Sequence, residues 1–171
     1  MRSTLGLCAG AALSVILAGA PVARAGGPAA APEESKAVSN APALEWLEYG
    51  DALDRAKKEN KHVIVDFYTS WCGWCKVMDR QTYGDSATAT YLNEHFILSK
   101  VNAESGKRFK VGDSTKSGVE LAREFGVQSF PITWFIKPEG EPLDKLMGYV
   151  PPDRFRKALV YVHERDYEKK K

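Results

Sequence analysis

"HVIVDFYTSWCGWCK", His62 to Lys76, is the stretch on which the fold turns. Its first part, His62 to Thr69, is rich in β-branched and aromatic residues and apolar on both alternating faces, the pattern of a central strand covered on both sides. One residue breaks that pattern, Asp66. The strand is expected to end at about Thr69 and a helix to start near Cys72, which places Cys72 at the helix N-terminus and Cys75 one turn inside it. At that spacing two sulfurs come within bonding distance without bending the backbone. The free N–H groups and partial positive charge of a helix N-terminus stabilise a thiolate, so position makes Cys72 the nucleophile and Cys75 the resolving thiol.

Outward from this stretch the chain alternates helical and extended patterns. Before it, "LEWLEYGDALDRAKKENK", Leu44 to Lys61, ends in a helix with Ala52, Leu53 and Ala56 on one side and charges on the other. After it, Lys76–Tyr83 and Ser86–Phe96 read as helical with a break around Gly84–Asp85, and "FILSKVN", Phe96–Asn102, reads as a second buried strand. Ala103–Gly118 is polar and glycine-containing, a loop whose basic part is expected to be a solvated surface insertion. A short helix, Val119–Phe125, is closed by Gly126. "ITWFI" (Ile132–Ile136) and "KLMGYV" (Lys145–Val150) are expected strands around the turn "KPEGEP". A terminal helix opens at Pro151–Pro152 and carries Phe155, Leu159 and Val162 at helical spacing. The order helix, strand, helix, strand, helix, strand, strand, helix predicts an α/β fold with a central mixed sheet flanked by helices, a right-handed first crossover and an antiparallel closing hairpin.

At 171 residues, 44% hydrophobic and 27% charged, the chain is long enough for one domain with a proper core, expected over residues 43–165, with 166–171 a charged tail. Residues 1–25 read as a secretory signal peptide: a basic start, an apolar centre and the ending Ala23-Arg24-Ala25, with cleavage expected near Ala25. An uncleaved membrane anchor is the alternative, although Leu5–Ala20 falls short of a typical spanning helix. Residues 26–42 are small, polar and proline-containing, a flexible linker. Of 24 basic residues, Arg2 and Arg24 leave with the signal, so 22 remain against 22 acidic ones, and the basic precursor gives no reason to expect a nucleic-acid partner. Cys8 leaves too, and Cys72 and Cys75 become the only cysteines, in a compartment where disulfides persist.

Two cysteines at this spacing also fit other chemistry. As a structural staple the pair would close too small a ring to stabilise much. A c-type haem anchor needs histidine directly after the second cysteine, and Lys76 stands there. A structural zinc site needs two more ligands, and His62, His95 and His163 are not at ligand spacing; they read as surface or boundary residues, and no metal site is expected. A soft-metal chaperone module is the reading from a different class, but Met1, Met78 and Met147 form no cluster.

With these residues in view, the chain resembles the thioredoxin superfamily over roughly Leu44–Val162. "VDFYTSWCGWCK" is similar to the family's active-site segment, including the acid six residues before the first cysteine and the lysine after the second. "FGVQSFPITWF" is similar to the segment carrying the family's cis-proline, which maps onto Pro131, and "KVMDRQTYGDSATATYLNEHFILSKVNAE" looks closer to exported thioredoxin-like proteins and to the C-terminal domain of the transmembrane reductant carrier DsbD. The resemblance implies a thioredoxin-like fold, Cys72 as attacking and Cys75 as resolving thiol, Asp66 as the buried acid beneath the pair and Lys100 as its partner. Asp66 should then have a raised pKa, suited to relaying a proton to or from Cys75. Trp71, Gly73, Trp74, Phe130 and Pro131 become the expected substrate-contacting residues, with the backbone at Phe130 open to an extended substrate strand. Two departures stand out: Trp74 replaces the usual proline between the cysteines, and the Glu104–Lys116 loop is longer than in plain thioredoxin.

The expected function is an exported, periplasmic thiol–disulfide oxidoreductase that mainly reduces protein disulfides through the Cys72–Cys75 couple, with a disulfide oxidase or isomerase as runner-up. Trp74 supplies no positive charge to a thiolate, hence the reducing expectation. The chain shows no flavin or nicotinamide fingerprint, so no cofactor is expected and electrons must come from a membrane or soluble dithiol protein of the DsbD type. A monomer is expected.

Overall fold

The computed structural model describes residues 41–169. The signal peptide and nearly all of the linker read from the sequence lie outside them, as does Cys8. Element order is β1 (Trp46–Leu47), α1 (Tyr49–Glu59), β2 (His62–Tyr68), α2 (Gly73–Met78) running into a π turn (Asp79–Tyr83), α3 (Ser86–His95), β3 (Phe96–Asn102), β4 (Arg108–Val111), β5 (Ser114–Ser117), α4 (Gly118–Glu124), β6 (Ile132–Ile136), β7 (Pro142–Met147), α5 (Pro152–His163) and α6 (Asp166–Lys169).

Five strands form one mixed sheet in the order β1-β3-β2-β6-β7, with β2 in the middle. β3 runs parallel to β1 and β2, and β6 runs antiparallel to β2 and β7. The two-faced apolar pattern of β2 is thereby explained. Val63, Val65 and Phe67 enter one core with Ala52 and Ala56 of α1 and Leu121 of α4. Ile64 enters the other, with Met78 and Tyr83 of the cysteine helix, Leu92 of α3 and Phe155, Leu159 and Val162 of α5. Asp66 shares a face with Ile64, so the one acid of β2 points toward the helix that carries the cysteines. The fold is thioredoxin-like: a mixed central sheet flanked by helices, with Cys72–Cys75 at a helix start.

Several local expectations need correction. Trp46–Leu47, ahead of the expected helix and absent from the expected strand order, forms a two-residue edge strand pairing with Leu98 and Ser99. The loop read over Glu104–Lys116 is largely an antiparallel hairpin, β4–β5, and Phe109 and Val111 pack against the α1-side core. That hairpin lies so close to α1 that a Cβ on Gly50 would stand 1.8 Å from the carbonyl oxygen of Lys110. β7 begins at Pro142 and ends at Met147, three residues earlier at each end than read. The charged tail contains α6, whose Tyr167 hydroxyl is hydrogen-bonded to His62 Nε2 at 2.8 Å. Among the described residues, no helix is long and apolar enough to cross a membrane.

Candidate active site

β2 ends at Tyr68, and a short turn follows in which the Cys72 N–H donates to the Thr69 carbonyl at 3.2 Å. Cys72 is the N-cap of α2: its backbone is extended (φ −69°, ψ 101°), and its Sγ accepts the Cys75 N–H at 3.0 Å. The two cysteines form a disulfide with a Cα–Cα distance of 5.3 Å. Both are almost wholly buried, Cys72 4% and Cys75 3% exposed, so area does not tell the sulfurs apart. The backbone does, because a helix-start N–H is aimed at Cys72 Sγ, where it would stabilise a thiolate once the bond is reduced.

Beneath this turn lies a network of charge. Asp66 and Lys100 are directly opposite in the parallel β2–β3 pair, on one face of the sheet. Lys100 Nζ is 3.6 Å from Asp66 Oδ2 and donates a hydrogen bond to Asp79 Oδ1. Asp79 stands four residues after Cys75, one helical turn along the same face. Lys100 Nζ also lies over three rings, at 5.2 Å from Trp46, 5.3 Å from Tyr68 and 5.8 Å from Tyr83. Asp66 is 1% exposed, and its Oδ1 has no hydrogen-bond partner among the described residues. Burial pushes its pKa up to about 7, with the Lys100 charge opposing the rise and the Asp79 charge adding to it. Tyr83, buried next to it and 3.3 Å from Thr133 Oγ1, is held well above the ordinary phenol range by burial first and by the Asp66 charge second. A polar cleft of about 250 Å³, lined in part by Tyr68, Lys100, Asn102 and Lys107, opens Lys100 to water.

Around the disulfide the surface is aromatic. Trp71 is 66% exposed; its ring meets Phe130 edge-on at 5.9 Å and its indole N–H donates to both carboxylate oxygens of Glu104 at 3.0 Å. Trp74 is 61% exposed, with its ring 5.7 Å from Tyr149 and inclined by 31° to it. Nothing would stand within 4 Å of a Cβ on Gly73, so space is open over the residue between Cys72 and Trp74. The Phe130–Pro131 peptide bond is cis, and Pro131 is buried. Pro131 accepts the Gly148 N–H at 2.8 Å, which ends the β6–β7 ladder and leaves Phe130 beyond it.

The structure thus brings Asp66 and Lys100 together and adds residues that the sequence reading missed: Asp79, Tyr83, Glu104 and Tyr149. Only Asp79 carried a sequence signal, the four-residue spacing from Cys75. The histidines, expected as surface or boundary residues, lie near one another. His95 and His163 stack at 4.1 Å and line one cleft with His62 at the start of β2, the end away from the cysteines, and the Tyr91 hydroxyl is hydrogen-bonded to His163 Nδ1 at 2.8 Å. Burial lowers the His62 pKa to about 4. Among the described residues, no three His, Cys, Asp or Glu side chains are grouped to hold a metal ion.

A family model described as a thioredoxin-like domain matches residues 49–163. The chain is 38% identical over 97 residues to thioredoxin H4 of Arabidopsis thaliana, covering 56% of this chain and 67% of that protein. It is 29% identical over 109 residues to the disulfide bond reductase DsbH of Chlamydia pneumoniae, covering 63% of this chain and 64% of that one. To the thiol:disulfide interchange protein DsbD of Neisseria meningitidis it is 30% identical over 106 residues, 61% of this chain but only 16% of DsbD. The chain likewise spans 16% of a Caenorhabditis elegans protein, B0495.5, that is 31% identical over 119 residues. The solution structure of a thioredoxin from Thermus thermophilus superposes with a TM-score of 0.60 at 26% identity, covering 71% of this chain and 88% of that one. The chain belongs to the thioredoxin-like domain family.

Proposed function

We propose that this protein is an exported reductase of protein disulfides, with residues 1–25 as its export signal. The Cys72 thiolate attacks one sulfur of a substrate disulfide, a mixed disulfide forms, and the other substrate sulfur leaves as a thiolate that takes up a proton. Asp66 then accepts the Cys75 proton, the Cys75 thiolate displaces the second substrate sulfur, and the enzyme is left with the Cys72–Cys75 disulfide. Two electrons pass from the dithiol to the substrate, and a second dithiol protein of the DsbD type returns them. Phe130, beyond the β6–β7 ladder, offers backbone groups to an extended substrate strand, and Trp71, Gly73, Trp74 and Pro131 form the surface beside it.

The observation that carries this reading is Asp66, buried one face below the cysteine helix with its pKa raised to about 7, where it can both take and give a proton near neutrality. Direction follows from charge. A couple is oxidising when its thiolate form is stabilised, and Trp74, between the two cysteines, contributes no positive charge to a thiolate. The expected reduction potential is therefore nearer the roughly −270 mV of thioredoxin than the roughly −120 mV of DsbA. Insulin reduction measured beside oxidation of a dithiol peptide tests the direction. Good oxidase turnover without reductase turnover would reverse it.

A further inference from the structure

Trp74 and Tyr149 are the part of the aromatic surface that the chemistry of the cysteines does not require. Among the described residues five large hydrophobic side chains are exposed, and two of them, Trp71 and Trp74, stand directly beside Cys72 and Cys75 in the chain, with the rings of Phe130 and Tyr149 against them. Such clustering marks a contact surface. On its Trp74 side that surface is built. Gly148 turns the chain with φ +74° directly after β7 and the Gly148–Pro131 hydrogen bond, and the next residue, Tyr149, lies half-buried beside Trp74. The Tyr149 hydroxyl donates to Gln81 Oε1 at 2.7 Å, and Gln81 sits in the π turn that continues the cysteine helix. One tyrosine thus ties the exit of β7 to the cysteine helix and fixes a ring against Trp74.

We propose that Trp74 and Tyr149, pinned by Gln81, are a specificity wall that takes an aromatic or branched apolar side chain adjacent to the disulfide cysteine of an extended partner segment. This rests on the disulfide-reductase reading above. The occupant follows from the chemistry of the wall. It carries no formal charge, it presents indole and phenol surface to solvent, and Trp74 is two residues from Cys72, so a residue next to a cysteine attacked by Cys72 comes within its reach. The open space over Gly73 admits such a side chain without displacing protein atoms. Because the hydrogen bond to Gln81 holds the Tyr149 ring before the partner arrives, less freedom is lost on binding. Tyr149 touches neither sulfur; it borders the partner's side chain and holds its ring against Trp74.

Two peptides with the same intramolecular disulfide, one with Phe and one with Glu beside the attacked cysteine, test the wall. Wild-type protein recycled with dithiothreitol should show the lower KM for the Phe peptide. Tyr149→Ala should raise that KM about tenfold, the equivalent of roughly 1.4 kcal/mol, with a much smaller change for the Glu peptide and with kcat and the Cys72–Cys75 potential held. Tyr149→Phe keeps the ring, loses only the bond to Gln81 and should fall between the two, which covers the case in which the alanine variant folds poorly. No Phe preference in the wild type, an equal KM rise for both peptides, or a change in potential would overturn the wall. Binding is read separately, by quenching of tryptophan fluorescence with the corresponding cysteine-free peptides. A Phe preference in binding with no turnover of either disulfide would support the wall and sink the reductase reading.

Discussion

Asp79 shows how much one residue can set for another. It competes with Asp66 for Lys100, and its own charge raises the Asp66 pKa. Replacing it by asparagine removes that repulsion and frees Lys100 to turn to Asp66, and both changes favour the charged carboxylate. Asp79→Asn should therefore lower the Asp66 pKa below about 7, as read by the carboxyl carbon shift of Asp66 across a pH titration. A pKa that stays in place or rises would mean that Lys100 does not couple the two acids. The sequence pointed to Asp66 because a charge inside a two-faced apolar strand is conspicuous, and to Lys100 by resemblance. For Asp79 it offered only the four-residue spacing from Cys75, and Glu104 and Tyr149 look like ordinary surface residues until tertiary packing brings Trp71 or Trp74 beside them. Gly73 and Trp74 could be located from the sequence, but what lies against Trp74 could not.

At the scale of elements, legibility followed length and periodicity. β2, β3 and α5 were readable since each repeats its apolar signal over seven residues or more. β4 and β5 are four residues each, and their alternation rests on Phe109 and Val111 alone amid charged neighbours, so the hairpin read as a loop. β1 has only two residues and takes its strand character from its pairing with β3. The hairpin is nevertheless a packed part of the domain, with α1 and β4 in backbone contact at Gly50. Gly50→Ala places a methyl group into the Lys110 carbonyl, and neither backbone can yield cheaply. The expected cost is about 2 kcal/mol in chemical denaturation, with the nearby packing of Phe109 loosened. Unchanged stability would show that the hairpin does not dock as firmly as that contact implies. At the start of α4, Ser117 and Glu120 form a reciprocal capping box, so Ser117→Ala should cost about 1 kcal/mol without affecting the cysteines.

Across the whole molecule, two buried titratable groups on the same strand pull stability in opposite directions. Asp66 has a folded pKa of about 7 against the ordinary carboxyl value of 3.8, so between those limits the folded chain holds a proton that the unfolded chain has lost. Its contribution is complete below the unfolded value and is lost as pH rises toward the folded one. His62 has a folded pKa of about 4 against 6.5, so in its window the unfolded chain holds the extra proton and stability is lost as pH falls. The windows overlap between about pH 4 and 6.5, where the two slopes, each up to about 1.4 kcal/mol per pH unit, cancel. Removing one group exposes the other. Relative to wild type, Asp66→Asn should gain stability as pH rises through the overlap, His62→Phe should lose it, and the double variant should again track wild type. The comparison with wild type removes the background from other groups, including His95, whose pKa burial also lowers. Urea denaturation of the oxidised proteins at half-unit steps from pH 4 to 8 reads all four curves. Parallel curves would show that neither site takes up or gives up a proton on folding, and with them would go the proton-relay role of Asp66, since a carboxyl that ionises at its ordinary pKa holds no proton near neutrality and is too weak a base to take one from Cys75.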